Sequence, residues 1–216
     1  MYKKLSLLAL FSFLFLLTSC FELIEDLTLN KNGSGSLKVK LNMSASATKL
    51  KGIMALDSLD GKRVPSKTDI LDTLEKYKDL LEKEPGISGV TASMDFDYFV
   101  FNLSLKFDSI VALEHVVEKY AKEEGDYAWM SWEKGVFQRK SMAMLNPVIK
   151  KIKAKDREKL KEASYVSITR FPDGEVTEMS NPGAILAANK KAVMQRFNVW
   201  EILDDPDQVK NRIEVN

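Results

Sequence analysis

Two segments of alternating polarity, joined by a turn rich in glycine and asparagine, restrict this chain more than any other feature. From Phe21 to Leu29 and from Leu37 to Met43 the apolar residues recur at every second position. In the second run Leu37, Val39, Leu41 and Met43 share one face, and Lys38, Lys40 and Asn42 the other. Between them lies NKNGSG, residues 30–35, whose Gly33 and Gly35 are predicted to supply the positive φ angles of a tight reversal. This is a β-hairpin with one wet face, so its apolar face has to be covered by other elements of the same chain.

Those elements are legible in part. Residues 44–65 are ambiguous, with a short helix at 48–58 as one solution. Ser66 and Asp69 form a capping box, after which Ile70, Leu74, Tyr77 and Leu81 recur at helical spacing until Pro85-Gly86. Strands are predicted at 89–96 and 98–107, the latter with Phe99, Phe101, Leu103, Leu105 and Phe107 on one face. Asp108 or Ser109 caps a helix that buries Ile110, Leu113, Val117 and Tyr120 and ends near Gly125. Residues 126–140 read as a hairpin turning at Lys134-Gly135, and Pro147 starts a lysine-rich helix to about Ala163. Beyond it YVSITRF, EVTEM, AILA, VMQRFNV and RIEV are short β segments separated by turn residues. The prediction is an α+β fold: antiparallel sheet or sheets with about three helices packed on one side. A single unit over 20–216 is the simplest division, with 21–125 and 126–216 as candidate subdomains.

The N-terminus carries an address. MYKK precedes a 13-residue apolar run, too short for a spanning helix of about 20 residues, and the run ends at Leu17-Thr18-Ser19-Cys20. Cys20 is the only cysteine of the chain. The tetrapeptide is similar to the lipobox of bacterial lipoproteins, which implies removal of residues 1–19 between Ser19 and Cys20, with Cys20 then acylated. Several acyl chains make such an anchor stable where one would be marginal. Loss of Lys3 and Lys4 leaves 30 basic against 31 acidic side chains, a balance that does not suggest a nucleic-acid partner. No second thiol exists for a disulfide, so the domain must be held by its core. Phe21, where an aspartate would signal inner-membrane retention, makes the outer membrane the expected site.

CFELIEDLTLNKNGSGSLKVKLNMS and, later, FPDGEVTEMSNPGAILAANKKAV resemble the corresponding stretches of the LppM-type family of bacterial envelope lipoproteins. In that family a strand, a turn and a second strand directly follow the lipid-bearing cysteine. The resemblance covers under a third of the chain and implies an exported α+β domain of the kind likened to lipid-binding folds, with no agreed enzymatic activity. The predicted helices at 66–84 and 109–124 have no counterpart in it.

Catalytic constellations are weak. His115, the only histidine, has neither a second histidine for zinc nor a local nucleophile. S-x-x-K occurs at Ser46–Lys49 and Ser131–Lys134, about as often as chance pairing gives, and without the motifs that accompany it in penicillin-binding enzymes. Asp57-Asp60, Asp95-Asp97 and Asp204-Asp205-Asp207 lack the spacing of a calcium loop and read as turn residues. No cofactor or metal is expected, and no enzyme. Aromatic weight at 94–107 and 127–144 points to binding instead, with Phe99, Phe101, Phe107, Trp129 and Trp132 as candidate lining of an apolar site. The helix 148–163, with seven basic and three acidic residues, offers a face for anionic headgroups. The sequence thus reads as a membrane-anchored domain that binds an apolar or lipid-like ligand. The alternative is an assembly module of the envelope, which would expose an apolar patch where a carrier would enclose a pocket of some 300 Å³ or more.

Overall fold

A computed structural model describes residues 21–121, 129–142 and 158–216. The leader, Ser19 and Cys20, residues 126–128 of the second predicted hairpin, and residues 148–157 of the basic helix lie outside the described residues.

Strands β1 (Glu22–Leu29) and β2 (Gly35–Asn42) form the expected hairpin, with Leu27 opposite Leu37 and Glu25 opposite Val39. A 3-10 turn (Ser44–Ser46) and helix α1 (Ala47–Met54) follow, then the small hairpin β3 (Ser58–Leu59) and β4 (Lys62–Arg63). Helix α2 (Lys67–Leu81) begins at the predicted capping box: Asp69 N donates to Ser66 Oγ, and Ser66 N donates back to the Asp69 carboxylate. None of its residues is fully buried; it lies against the edge strand β5 (Ile87–Asp95), which pairs with β6 (Val100–Phe107). Helix α3 (Ile110–Ala121) buries Ile110, Leu113 and Val116, while Val117, expected inside, is only half-buried. Its first turn is capped by Ser109, whose hydroxyl accepts from Ala112 N. The second hairpin is β7 (Met130–Glu133) and β8 (Val136–Arg139), turning through Lys134 and Gly135, both at positive φ.

The C-terminal third supplies β9 (Ser164–Arg170), β10 (Val176–Met179), β11 (Ile185–Leu186), β12 (Ala192–Asn198), the unanticipated helix α4 (Val199–Asp204) and β13 (Asn211–Val215). Asn198, capping α4 through Trp200 N, is what turns strand into helix there.

Seven strands make one sheet in the order β11-β12-β9-β1-β2-β6-β5, and four make a second, β10-β13-β8-β7. All pairings are antiparallel except β1 with β9. The large sheet draws strands from both sides of residue 125. Its inner face meets the small sheet and α3 in a core that includes Leu27, Leu37, Leu105 and Phe107 on one side and Met130, Phe137 and Ile213 on the other. Each fully buried side chain of that size contributes about 1.5–3 kcal/mol.

Two sequence expectations are corrected. The strand predicted at 98–107 starts at Val100, because 96–99 form a turn. Asp95 Oδ1 accepts from Asp97 N and Tyr98 N and so reverses the chain, and Phe99 takes φ 54° to complete it. Of the two glycines in the first turn, Gly33 has φ 86° as predicted, whereas Gly35 does not adopt a positive φ. It is glycine for lack of space: a Cβ there would strike the Thr28 carbonyl oxygen and stand 2.7 Å from Phe107 Cζ.

Candidate functional site

The five aromatics expected to line one apolar site are distributed over three environments. Phe107 is 2% exposed and belongs to the main core; Phe101 lies on the same face of β6, opposite Leu41 and Met94, and is only half-buried. Trp129 packs on the core beside Arg139, whose guanidinium carbon lies 5.4 Å from its ring. Trp132 stacks on Phe171 at 6.1 Å. Phe99 belongs to a separate cluster at the far end of β6.

Trp132 and Phe171 border a cleft with Leu29, Lys31, Gly135, Asp173 and Val215. It holds about 20 Å³, room for little more than one water. A lipid-like ligand needs more than ten times that volume.

Between the sheets lies a polar group that the sequence reading did not single out. Arg139 of β8 and Glu25 of β1, with side chains 1% and 5% exposed, form an ion pair through Nη2 and Oε1. Tyr165 of β9 donates its hydroxyl to Glu25 Oε2 at 2.9 Å and accepts from Arg139 Nη1 at 3.2 Å. Burial pushes the Tyr165 hydroxyl well above the usual phenol range. Burial works against the charge on Arg139, but Glu25 and Tyr165 outweigh it and hold the guanidinium protonated. Ser167 and Gln195 continue the row across the sheet, in register with Glu25, and Gln195 Oε1 accepts from Asn211 Nδ2 at 3.2 Å. Gln195 Nε2 and Trp129 Nε1 are buried without a partner. The signal for this network was present: Leu23, Glu25, Leu27 and Leu29 occupy one face of a period-two run, and a carboxylate on an apolar face must find a cation. The arrangement ties β1, β8 and β9 together.

Several other titratable groups are engaged in local contacts. Glu84 accepts from Lys119 Nζ at 2.5 Å and from Tyr120 OH at 2.7 Å, which together hold its carboxyl below the ordinary range. Asp205 caps the 3-10 turn Pro206–Val209, and Asp207 pairs with Lys210. His115 lies on the exposed face of α3, and Lys134 of the second S-x-x-K pair is turned to solvent beside Glu133. Among the described residues no group of three metal-ligating side chains exists, and no helix is long and apolar enough to cross a membrane.

The last arrangement concerns the chain's N-terminal junction. Phe21, one residue beyond Cys20, is already part of the fold: Ser164 N donates to its carbonyl at 2.9 Å. The pairings of Glu22 with Asn42 and with Ser164, of Asn42 with Val100, and of Asn198 with Ser164 bring one end of the large sheet together there. Met43, α1, the β5–β6 turn, the 3-10 turn Glu158–Glu162 and α4 all cluster at this end. Met43, Leu50 and Phe99 are buried in it, while Phe21, Leu41, Ala47, Ile53, Met54 and Met94 pack on them only partly covered.

No protein-family model matches the chain, and no curated protein matches it. The chain is similar in structure to the folded domain of LppM from Mycobacterium tuberculosis, solved by NMR, at 10% sequence identity and a TM-score of 0.44. The match covers 91% of this chain and 88% of that one. It is a weak, fold-level likeness.

Proposed function

We propose that this chain is an exported lipoprotein, acylated at Cys20, whose folded domain acts at the surface of the outer membrane as a binding module for another envelope component. The observation that carries the reading is the junction. A lipobox-like tetrapeptide ends at Cys20, and the next residue is hydrogen-bonded into the centre of a seven-stranded sheet. A flexible tether is absent between Phe21 and the fold, and one residue spans at most about 3.6 Å, so an acylated Cys20 holds the domain against the bilayer. A surface role is favoured over a lipid carrier by the small cleft.

Two measurements test it. Metabolic palmitate labelling should mark the wild type and be lost in Cys20→Ala, which should also keep its leader; label retained in the variant refutes acylation at Cys20. Native mass spectrometry of the mature chain extracted from membranes should show the acylated protein alone. One additional lipid per chain would favour the carrier, for which the half-open apolar cluster around Phe99 would be the natural seat.

A further inference from the structure

We infer that the end of the large sheet formed by Phe21, α1 and the β5–β6 turn is itself a bilayer-docking surface, seated in the interfacial region beside the anchor. The inference rests on acylation at Cys20 and adds to it a contact made by the fold. Three observations converge. The first is incomplete burial: the cluster around Leu50 and Phe99 has three buried members and six that stay partly exposed. Leu56 and Tyr98 extend it outward at 47% and 65% exposure. Exposed apolar residues are ordinary when scattered, and informative when they adjoin a half-covered cluster.

The second is position. Phe21 belongs to this cluster, and consecutive Cα atoms lie 3.8 Å apart, so the acyl-bearing residue adjoins it directly. The opposite end of β1, eight residues beyond Phe21, lies about 26 Å from it. Whatever the bilayer touches, it meets this end first.

The third is chemistry and stiffness. Residues 47–67 carry Lys49, Lys51, Lys62, Arg63 and Lys67 against Asp57 and Asp60, with Arg63 paired to Asp69 at 2.8 Å. Asp97, at the tip, stands 3.9 Å from Lys51, and Asp95 is engaged by the turn's own amides. An apolar centre inside a ring of mixed charge, with a tyrosine at the rim, fits the depth at which acyl chains give way to polar headgroups. Phe99 holds the tip rigid: its φ of 54° is costly for an aromatic residue, and the cost is met by burial to 4% exposure and by the bond from Met43 N to its carbonyl.

The test uses the mature chain reconstituted in vesicles of phosphatidylethanolamine and phosphatidylglycerol. Cys20 is the only cysteine, so acylation leaves no free thiol and an introduced one can be labelled alone. Tyr98→Cys and, at the far turn, Lys31→Cys would each carry a nitroxide, and collision with oxygen and with a nickel chelate reports depth. The expected result is an oxygen-to-nickel collision ratio several-fold higher at position 98 than at position 31. Equal ratios overturn the inference. So do low collision rates with both reagents at position 98, which would mean that a protein covers the tip. A wild-type chain that takes up maleimide label at Cys20 overturns acylation itself, and the docking surface with it.

Discussion

Replacing Arg139 with Met should remove about 3–5 kcal/mol of stability, the range for breaking a buried ion pair from one side. The geometry places the value in that range. Glu25 is 5% exposed at its side chain, and without the guanidinium it keeps a single described donor, the Tyr165 hydroxyl at 2.9 Å. The loss is also a large part of a typical domain stability of about 5–15 kcal/mol. Urea unfolding followed by tryptophan fluorescence measures it: with a slope of about 2 kcal/mol per molar, the midpoint should fall by about 1.5–2.5 M. Removing the whole polar group gives the decisive comparison. Glu25→Leu with Arg139→Met eliminates both charges but leaves the Tyr165 hydroxyl with Ser167 as its remaining partner, at about 1–3 kcal/mol, and adding Tyr165→Phe removes most of that cost. The triple variant should therefore be near the wild type or above it. A single-variant cost under about 1 kcal/mol, or a triple variant no better than the single, would refute the view that the three groups compensate one another in a dry environment.

Two further outcomes follow from local geometry. Gly35→Ala should cost more than Gly33→Ala in thermal unfolding. At position 33 the cost is positive-φ strain of about 1 kcal/mol, while at 35 the added carbon overlaps a backbone carbonyl and β1 and β2 must move apart; the reverse order would show that the reversal is built differently. The third outcome is a pair of pH limbs. Glu84 has a lowered carboxyl pKa, so its contribution is present above the ordinary glutamate value and is lost as pH falls through the lower folded value. Tyr120, pushed up to about 12 by burial and by the Glu84 carboxylate, contributes fully below pH 10 and loses that contribution as pH rises toward 12. Glu84→Gln should flatten the acid limb of stability against pH and Tyr120→Phe the alkaline limb, as read by urea midpoints across the range.

The β structure was legible because a period of two survives in several strands: β1, β6, β8 and β12 place their buried residues on alternate positions, whereas β9 buries Tyr165, Val166 and Ser167 in succession. The capping box of α2 and the Lys134-Gly135 turn were legible because each needs specific residue types at fixed offsets. Pairing was not. Nothing in residues 22–28 or 164–170 states that they run parallel, since strand order depends on which faces are covered by distant elements. The turn at 96–99 was hidden by its own aromatics, because Phe96, Tyr98 and Phe99 favour strand and only Asp95 speaks for reversal. The spread of the five aromatics was hidden for a related reason: alternation assigns residues to a face but does not say which part of the face is covered. Phe99, in the turn, and Phe107, at the other end of β6, are eight residues apart and belong to different clusters.

The same topology bears on what the proposed anchor does mechanically. β1 is an interior strand, bonded to β2 on one side and to β9 on the other along its whole length. It also contributes Glu25 to the buried ion pair with β8. A lipid anchor attached two residues before such a strand would be attached to the most constrained part of the sheet, and motion of the lipid in the bilayer would become motion of the domain as a body. An edge strand such as β5, with one neighbour and a bulge between Ser88 and Thr91, would peel under the same load. In the proposed arrangement the orientation of the sheet relative to the bilayer would be set by two connections, the acylated cysteine and the apolar rim beside it. Two connections restrain tilt where a single flexible one does not, and a domain of restrained tilt presents the opposite end of the sheet, with the turn at residues 30–34 and the cleft beside Trp132, toward partners in the aqueous space.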